Sequence, residues 1–231
     1  MNICILTIAT NKYIQFVERL YNNLEENFLN GHNLECLLFT EHDVETSDNV
    51  RVSHIEHEPW PMPTLKRYNY FVKEKEFISE FDYCFYFDVD MGIVDKVGDE
   101  VLSDLVATMH PYQSFYPKGE RSYDRNPKSL AYVAPGDEGP NYYAGGFNGG
   151  STKRFLEMSE VIADRVNKDL ENDVIALWHD ESQMNRYLID NPPTLSLNPS
   201  YCFAEEQMKN PAYPYDPKII ALKKNHSELR K

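Results

Sequence analysis

Apolar residues fill Ile3 to Ala9 ("ICILTIA") almost without a break, the pattern of a strand buried on both faces. The pattern then changes: between Tyr13 and Asn30, Ile14, Val17, Tyr21, Leu24 and Phe28 share one helical face, and Gly31 follows as a terminator. "LECLLFT" (Leu34 to Thr40) returns to the strand pattern. Pro59, Pro61 and Pro63 lead to Thr64, the expected N-cap of a helix running from Leu65 to about Ser79. "YCFYF" is a third strand. Strand, helix, strand, helix, strand predicts the α/β class: a mostly parallel central sheet flanked by helices, with ligands gathered at the carboxyl ends of the strands. Without repeats or a flexible linker, a single domain is expected.

Composition narrows the partners. A chain of 231 residues with 42% hydrophobic content can bury a real core. Lys and Arg total 23 against 37 Asp and Glu, a net charge of -14 with no basic stretch to offset it, which argues against nucleic acid. Cys4, Cys36, Cys84 and Cys202 show no C-x-x-C spacing, so they read as buried, reduced thiols. "NICILTIAT" starts directly after Met1, with no basic leader and no apolar run of membrane-spanning length, and a cytoplasmic location without a membrane anchor is the expectation.

Chemistry enters at "CFYFDVDMGIV". In extended backbone, residues two apart point the same way, so Asp88 and Asp90 present both carboxylates to one small volume beyond the sheet. A divalent cation held by hard oxygen ligands, magnesium or manganese, removes their repulsion. A polar turn with two solvated aspartates accounts for the same residues. "WHDES" is the second cluster. Asp180 or Ser182 can cap a helix carrying Met184, Tyr187 and Leu188, with Glu181 in its first turn.

"YFDVDMGIVDKVGDEVL", "HPYQSFY", "SYDRNPKSLAYVAPGDEG", "NYYAGGFNGGS", "ALWHDESQMNRYL" and "KKNH", in this order and spacing, resemble glycosyltransferase family 6. The resemblance runs from about Ile5 to Arg230. It implies a GT-A fold over 1–231, with a nucleotide-binding half (1–95), a donor-sugar and acceptor half (96–215) and a mobile basic tail (216–231). The implied activity is α-retaining transfer of GalNAc or Gal from UDP-GalNAc or UDP-Gal to a sugar hydroxyl in α-1,3 linkage, on an oligosaccharide such as a galactose-terminated one. The alternative is a UDP-sugar-binding or UDP-sugar-hydrolysing protein of the same fold. Asp88 and Asp90 match the family's metal pair for Mn²⁺, or Mg²⁺, with Val89 between them. Many bacterial members carry N-x-N at that place, so D-V-D implies metal dependence. Ile8, Ala9 and Tyr13 match the uridine-binding segment, Arg67 an arginine beside metal and nucleotide, and Lys224 and Arg230 basic residues on the diphosphate. Ala144, Gly145 and Gly146 match the donor-sugar strand, where the missing side chain at Gly146 leaves room for a 2-acetamido group. Asp180 is implied to hold donor-sugar hydroxyls and Glu181 to be the catalytic carboxylate, also touching the acceptor; it is either a nucleophile behind C1 or, on a front-face route in which the leaving phosphate deprotonates the acceptor, an anion that steadies an oxocarbenium-like transition state. His110, Ser122 and Trp178 match acceptor positions. One departure stands out: Ala204, in "YCFAEE", occupies the place of an acceptor-binding aspartate, with Glu205 beside it.

Overall fold

The computed structural model describes residues 1–210 and 212–230; Lys231, the last basic residue of the expected tail, lies outside them. The first apolar run is β1 (Asn2–Ile8), and the helical pattern after it is a 3-10 turn (Asn11–Phe16) continued by α1 (Val17–Asn27). The helix stops before the pattern does. Phe28 swings into extended backbone and drives its ring edge-on against Phe85, Phe87 and Phe147, so core packing overrides the helical period.

β2 (Asn33–Thr40) lies beside β1, and β3 (Val50–His54) beside β2. The expected helix from Leu65 to Ser79 is three pieces: α2 (Met62–Leu65), α3 (Arg67–Lys73) and α4 (Lys75–Ile78). Lys66 (ψ 9°) and Glu74 (ψ 17°) leave helical geometry between the pieces, and Thr64 sits inside α2 rather than capping it. The proline cluster starts the helix earlier, with Pro63 in its first turn, where a missing N–H costs nothing.

β4 (Tyr83–Asp88), the third strand expected from the sequence, is the fourth parallel strand of the chain, after β3, and pairs with β1 so that Ile8 lies beside Asp88. β5 (Met91–Ile93), β6 (Leu105–Met109) and β7 (Tyr143–Ser151) follow, then α5 (Thr152–Glu171) and α6 (His179–Asp190), and finally β8 (Leu195–Leu197), β9 (Phe203–Ala204), β10 (Ile219–Ala221) and α7 (His226–Leu229). The seven-stranded sheet has the order β3-β2-β1-β4-β7-β6-β8, parallel except where β7 runs antiparallel to β4 and β6. Two apolar layers cover it. Phe71, Tyr68 and Phe155 lie in one layer, and Leu20, Leu24 and Phe28 in the other.

β7, "YAGGFNGGS", is rich in glycine, a poor strand residue, for a steric reason. A Cβ at Gly149 would stand 2.3 Å from the Phe85 ring, and one at Gly150 would stand 2.3 Å from the Asp104 carbonyl oxygen. The strand also slips register: Ala107 faces Asn148 while Thr108 faces Ala144. Its pairing with β4 ends at Phe147, which leaves Gly145 and Gly146 without a partner on either neighbouring strand. Such bulges free peptide groups for other uses.

Candidate functional site

The freed Gly145 peptide and the end of β4 meet at Arg67. This guanidinium is buried, lies 4.0 Å above the Tyr86 ring, and donates from Nη1 to the Gly145 carbonyl at 2.7 Å and from Nη2 to Asp88 Oδ1 at 2.9 Å. Its Nη1 is also 3.1 Å from Asp180 Oδ2, a carboxylate only 2% exposed. The Tyr86 hydroxyl donates to Asp88 Oδ1 at 2.7 Å, while Asp88 Oδ2 lies on the side a Gly146 Cβ would occupy, 3.2 Å away. One arginine therefore ties together the D-V-D segment, the bulged strand and the start of α6.

α6 begins abruptly. His179 has a left-handed φ of 52°, and the Trp178 N–H donates to Ser182 Oγ at 2.9 Å, so Ser182 satisfies the helix start. Asp180 points inward while its carboxylate still takes the backbone N–H groups of Asp180 and Glu181, and Glu181 points inward beside it. Glu181 Oε2 accepts from the Gly145 N–H at 2.8 Å, so the two sides of that residue are held by Glu181 and Arg67. Burial pushes the Asp180 carboxyl up to about 7 against the pull of Arg67, with Asp88 adding to the rise. Burial also pushes Glu181 up to about 7, opposed by the Gly145 N–H and reinforced by Asp180. Two neighbouring buried acids poised near neutrality beside Arg67 and Asp88 are a recurrent mark of a functional site.

Asp90 is the more deeply buried member of the pair, and its pKa is raised by burial, with Lys224 pulling against the rise and Asp88 adding to it. Lys224 Nζ contacts Asp90 Oδ2 directly. Beside the pair opens a cavity of about 340 Å³ lined by Ile8, Tyr13, Val89, Trp60, Lys224 and Arg230. Ala9 is fully buried at the end of β1. The segment expected as a loose tail closes one side of this cavity. Tyr13 Oη is 3.2 Å from His226 Nδ1, Lys12 Nζ donates to the Glu228 carbonyl at 3.0 Å, and the Arg230 guanidinium lies 3.5 Å over the Trp60 ring.

The acceptor positions are placed differently. Trp178 is 49% exposed at the mouth of α6. His110 is occupied within its own loop: its Nδ1 accepts from the Tyr112 N–H at 3.2 Å and the Gln113 N–H at 3.3 Å, and burial lowers its pKa to about 4. Ser122 exchanges two hydrogen bonds of 3.0 Å with Gln113, which joins the two ends of the same loop. Glu205 Oε2 accepts from the Lys223 N–H at 2.7 Å, so it braces the chain before Lys224.

Tyr86 and Trp60 were not singled out in the sequence. Tyr86 reads there as one more aromatic of a buried strand; its place two residues before Asp88, on the same face, was the available signal. Trp60 offered only its neighbouring prolines. Among the described residues no group of three or more His, Cys, Asp or Glu side chains is arranged around a metal position, and Asp88 and Asp90 stand as a pair. No helix of the described residues is long and apolar enough to cross a membrane.

The sequence is similar to those of known proteins over most of its length. The chain is 33% identical to the histo-blood group ABO system transferase 1 of Rattus norvegicus over 96% of its own length and 66% of the relative's. It is 30% identical to the globoside alpha-1,3-N-acetylgalactosaminyltransferase 1 of Gallus gallus, covering all of this chain and 69% of the relative. It is 31% identical to the O-antigen biosynthesis glycosyltransferase WbnI of Escherichia coli, covering 95% of this chain and 94% of that one. The chain thus spans about two thirds of the animal relatives. The profile of Glycosyltransferase family 6 matches residues 1–231, and with the seven-stranded α/β sheet that carries Asp88 at a strand end, the chain belongs to that family and has its GT-A fold.

Proposed function

We propose that this glycosyltransferase moves GalNAc or Gal from a UDP-sugar to a sugar hydroxyl in α-1,3 linkage, with retention and with Mn²⁺ or Mg²⁺ bound. The observation that carries the reading is the Arg67 node, which joins the end of β4, the Gly145 peptide and Asp180 beside one cavity. The names of the rat, chicken and Escherichia coli relatives support a sugar-transfer reaction of this kind.

The donor set suits a hard cation. Asp88 Oδ1 is taken by Arg67 and Tyr86, which leaves its Oδ2, and the Asp90 carboxylate becomes a second oxygen ligand once Lys224 gives up Asp90 Oδ2. Two protein carboxylates supplemented by phosphate oxygens and water are how magnesium-like ions are commonly bound. Such an ion neutralises charge that builds on the departing diphosphate. The chain's own residues do the rest. Ile8 and Tyr13, which line the cavity, receive the uridine over the buried Ala9, and Lys224 and Arg230 meet the diphosphate with charge-assisted hydrogen bonds. Asp180, fixed by Arg67, takes donor-sugar hydroxyls. Glu181, fixed by the Gly145 N–H, faces the anomeric carbon, where a carboxylate stabilises positive charge as the bond to phosphate breaks, or bonds to that carbon as a nucleophile and is later displaced; on the front-face route the acceptor oxygen bonds to carbon while its proton passes to the departing phosphate oxygen.

Ala204 favours a second reading, UDP-sugar binding or hydrolysis without efficient acceptor transfer, because the nearby Glu205 carboxylate already holds the Lys223 N–H. An array of UDP-sugars and oligosaccharide acceptors, run with and without Mn²⁺, separates the two. Metal-dependent glycoside formation supports the first, and UDP release with no glycoside formed supports the second.

A further inference from the structure

Where β7 loses its ladder partners, something else must hold it against α6. Asn185, 1% exposed and one turn after Glu181, does so with three hydrogen bonds. Its Oδ1 accepts from the Tyr143 N–H at 2.8 Å, and its Nδ2 donates to the Tyr143 carbonyl at 2.8 Å and to the Glu181 carbonyl at 2.9 Å. Both amide hydrogens are used, and the Tyr143 peptide groups that Asn185 takes lie two residues before Gly145. One side chain thus grips the strand just ahead of the bulge and the helix at the residue whose carboxylate meets the Gly145 N–H. On the far side of the bulge, Asn148 Nδ2 donates to the Gly145 carbonyl at 3.1 Å, so the unpaired segment is held at both ends.

We propose that Asn185 is a positioning residue, which sets the reach of the Glu181 carboxylate to the Gly145 N–H and so its place against the reacting sugar. The proposal rests on the glycosyl-transfer reading of this site. The physical demand is strict, since displacement of a reacting group by about 1 Å can cost about 100-fold in rate. A buried amide that only stabilised the fold would leave that geometry alone, and the same helix offers a control. Gln183 is equally buried and donates to Asp169 Oδ2 at 2.8 Å, a residue of α5, without the bonds to β7 that Asn185 makes.

The experiment compares Asn185→Ala, Asn185→Asp and Gln183→Ala in the full chain. Asn185→Asp keeps an acceptor for the Tyr143 N–H and loses both donated bonds, so it reports if the alanine variant does not fold. Both Asn185 variants should lower kcat by about 100-fold while the donor KM changes by less than about threefold. The Gly145 amide proton, shifted downfield by a carboxylate acceptor, should move upfield in both, in the direction that Glu181→Gln moves it. Gln183→Ala should lose thermal stability with the Gly145 resonance in place. A Gly145 resonance unmoved in the Asn185 variants, or a kcat loss matched by Gln183→Ala, overturns the proposal. If the parent transfers no sugar, the glycosyl-transfer reading fails, and the Gly145 resonance still decides whether Asn185 sets the contact.

Discussion

Arg67→Met keeps the length of the side chain and removes its charge from between Asp88 and Asp180. Breaking a buried ion pair by deleting one partner costs about 3–5 kcal/mol. Most of that figure belongs to Asp180, because the Asp88 side chain is 40% exposed and its contribution is discounted for solvent screening. Asp180 can relieve part of the loss by binding a proton, which makes the cost depend on pH. Its folded pKa of about 7 lies above the unfolded carboxylate, so its contribution is fully favourable only at acid pH and declines as pH rises. In the parent the decline ends near the folded pKa, where the carboxylate ionises against Arg67. Without the guanidinium Asp180 stays protonated further, and the decline continues at about 1.4 kcal/mol per pH unit. Urea unfolding followed by far-UV circular dichroism should therefore show a deficit that grows by about 2 kcal/mol between about pH 7 and 8.5 and reaches about 3–5 kcal/mol there. A deficit that stays below about 1 kcal/mol, or that is equal at pH 6 and pH 8.5, refutes the reasoning.

Asp88→Asn and Asp90→Asn should each cost several orders of magnitude in transfer rate and weaken Mn²⁺ binding measured by titration calorimetry, and EDTA should silence the parent; full activity in EDTA would falsify the metal assignment. Gly146→Ala adds a methyl 3.2 Å from Asp88 Oδ2 and 3.3 Å from Met91 Sδ, so its first effect falls on the D-V-D carboxylate. The rate should drop with UDP-GalNAc and UDP-Gal alike, and a large change in their kcat/KM ratio would instead place the methyl against the donor sugar. Arg230→Ala removes the stack on Trp60 and should speed tryptic cleavage after Lys223 and Lys224, with transfer falling about 10- to 1,000-fold; cleavage at the parent rate would show that the stack holds nothing.

β1, β2 and β4 were legible because a strand buried on both faces writes a run of apolar residues that no other element needs. β3 was not: "VRVSH" is short and polar, at the sheet edge, where only one side must be apolar. β7 was legible as a motif and not as a strand, since its glycines answer to Phe85 and Asp104, atoms distant in sequence. Within the site, Asp88, Asp180 and Glu181 carry an intrinsic oddity, charge beside apolar residues, and Arg67 was found through the family pattern. The Gly145 peptide bridge between Glu181 and Arg67 leaves no local trace, because it depends on a register slip between β6 and β7. His110 and Ser122 show the opposite limit, in that a family position names a residue without revealing that its hydrogen bonds are already spent within a loop.

The small sheet formed by β5, β10 and β9 places β10 in its centre, and just beyond it the Leu222 N–H donates to the carbonyl of Asp90 itself at 2.9 Å. Lys224 is two residues further on, and two residues of chain reach about 7 Å at full stretch. The ammonium is thus a counter-ion on a short tether, anchored to the residue whose carboxylate it serves. Its local concentration there is set by chain geometry and does not fall when the protein is diluted, and raising ionic strength cannot carry it away. Whatever binds at Asp90 displaces a cation that stays within a few ångströms, ready to meet the negative charge the newcomer brings.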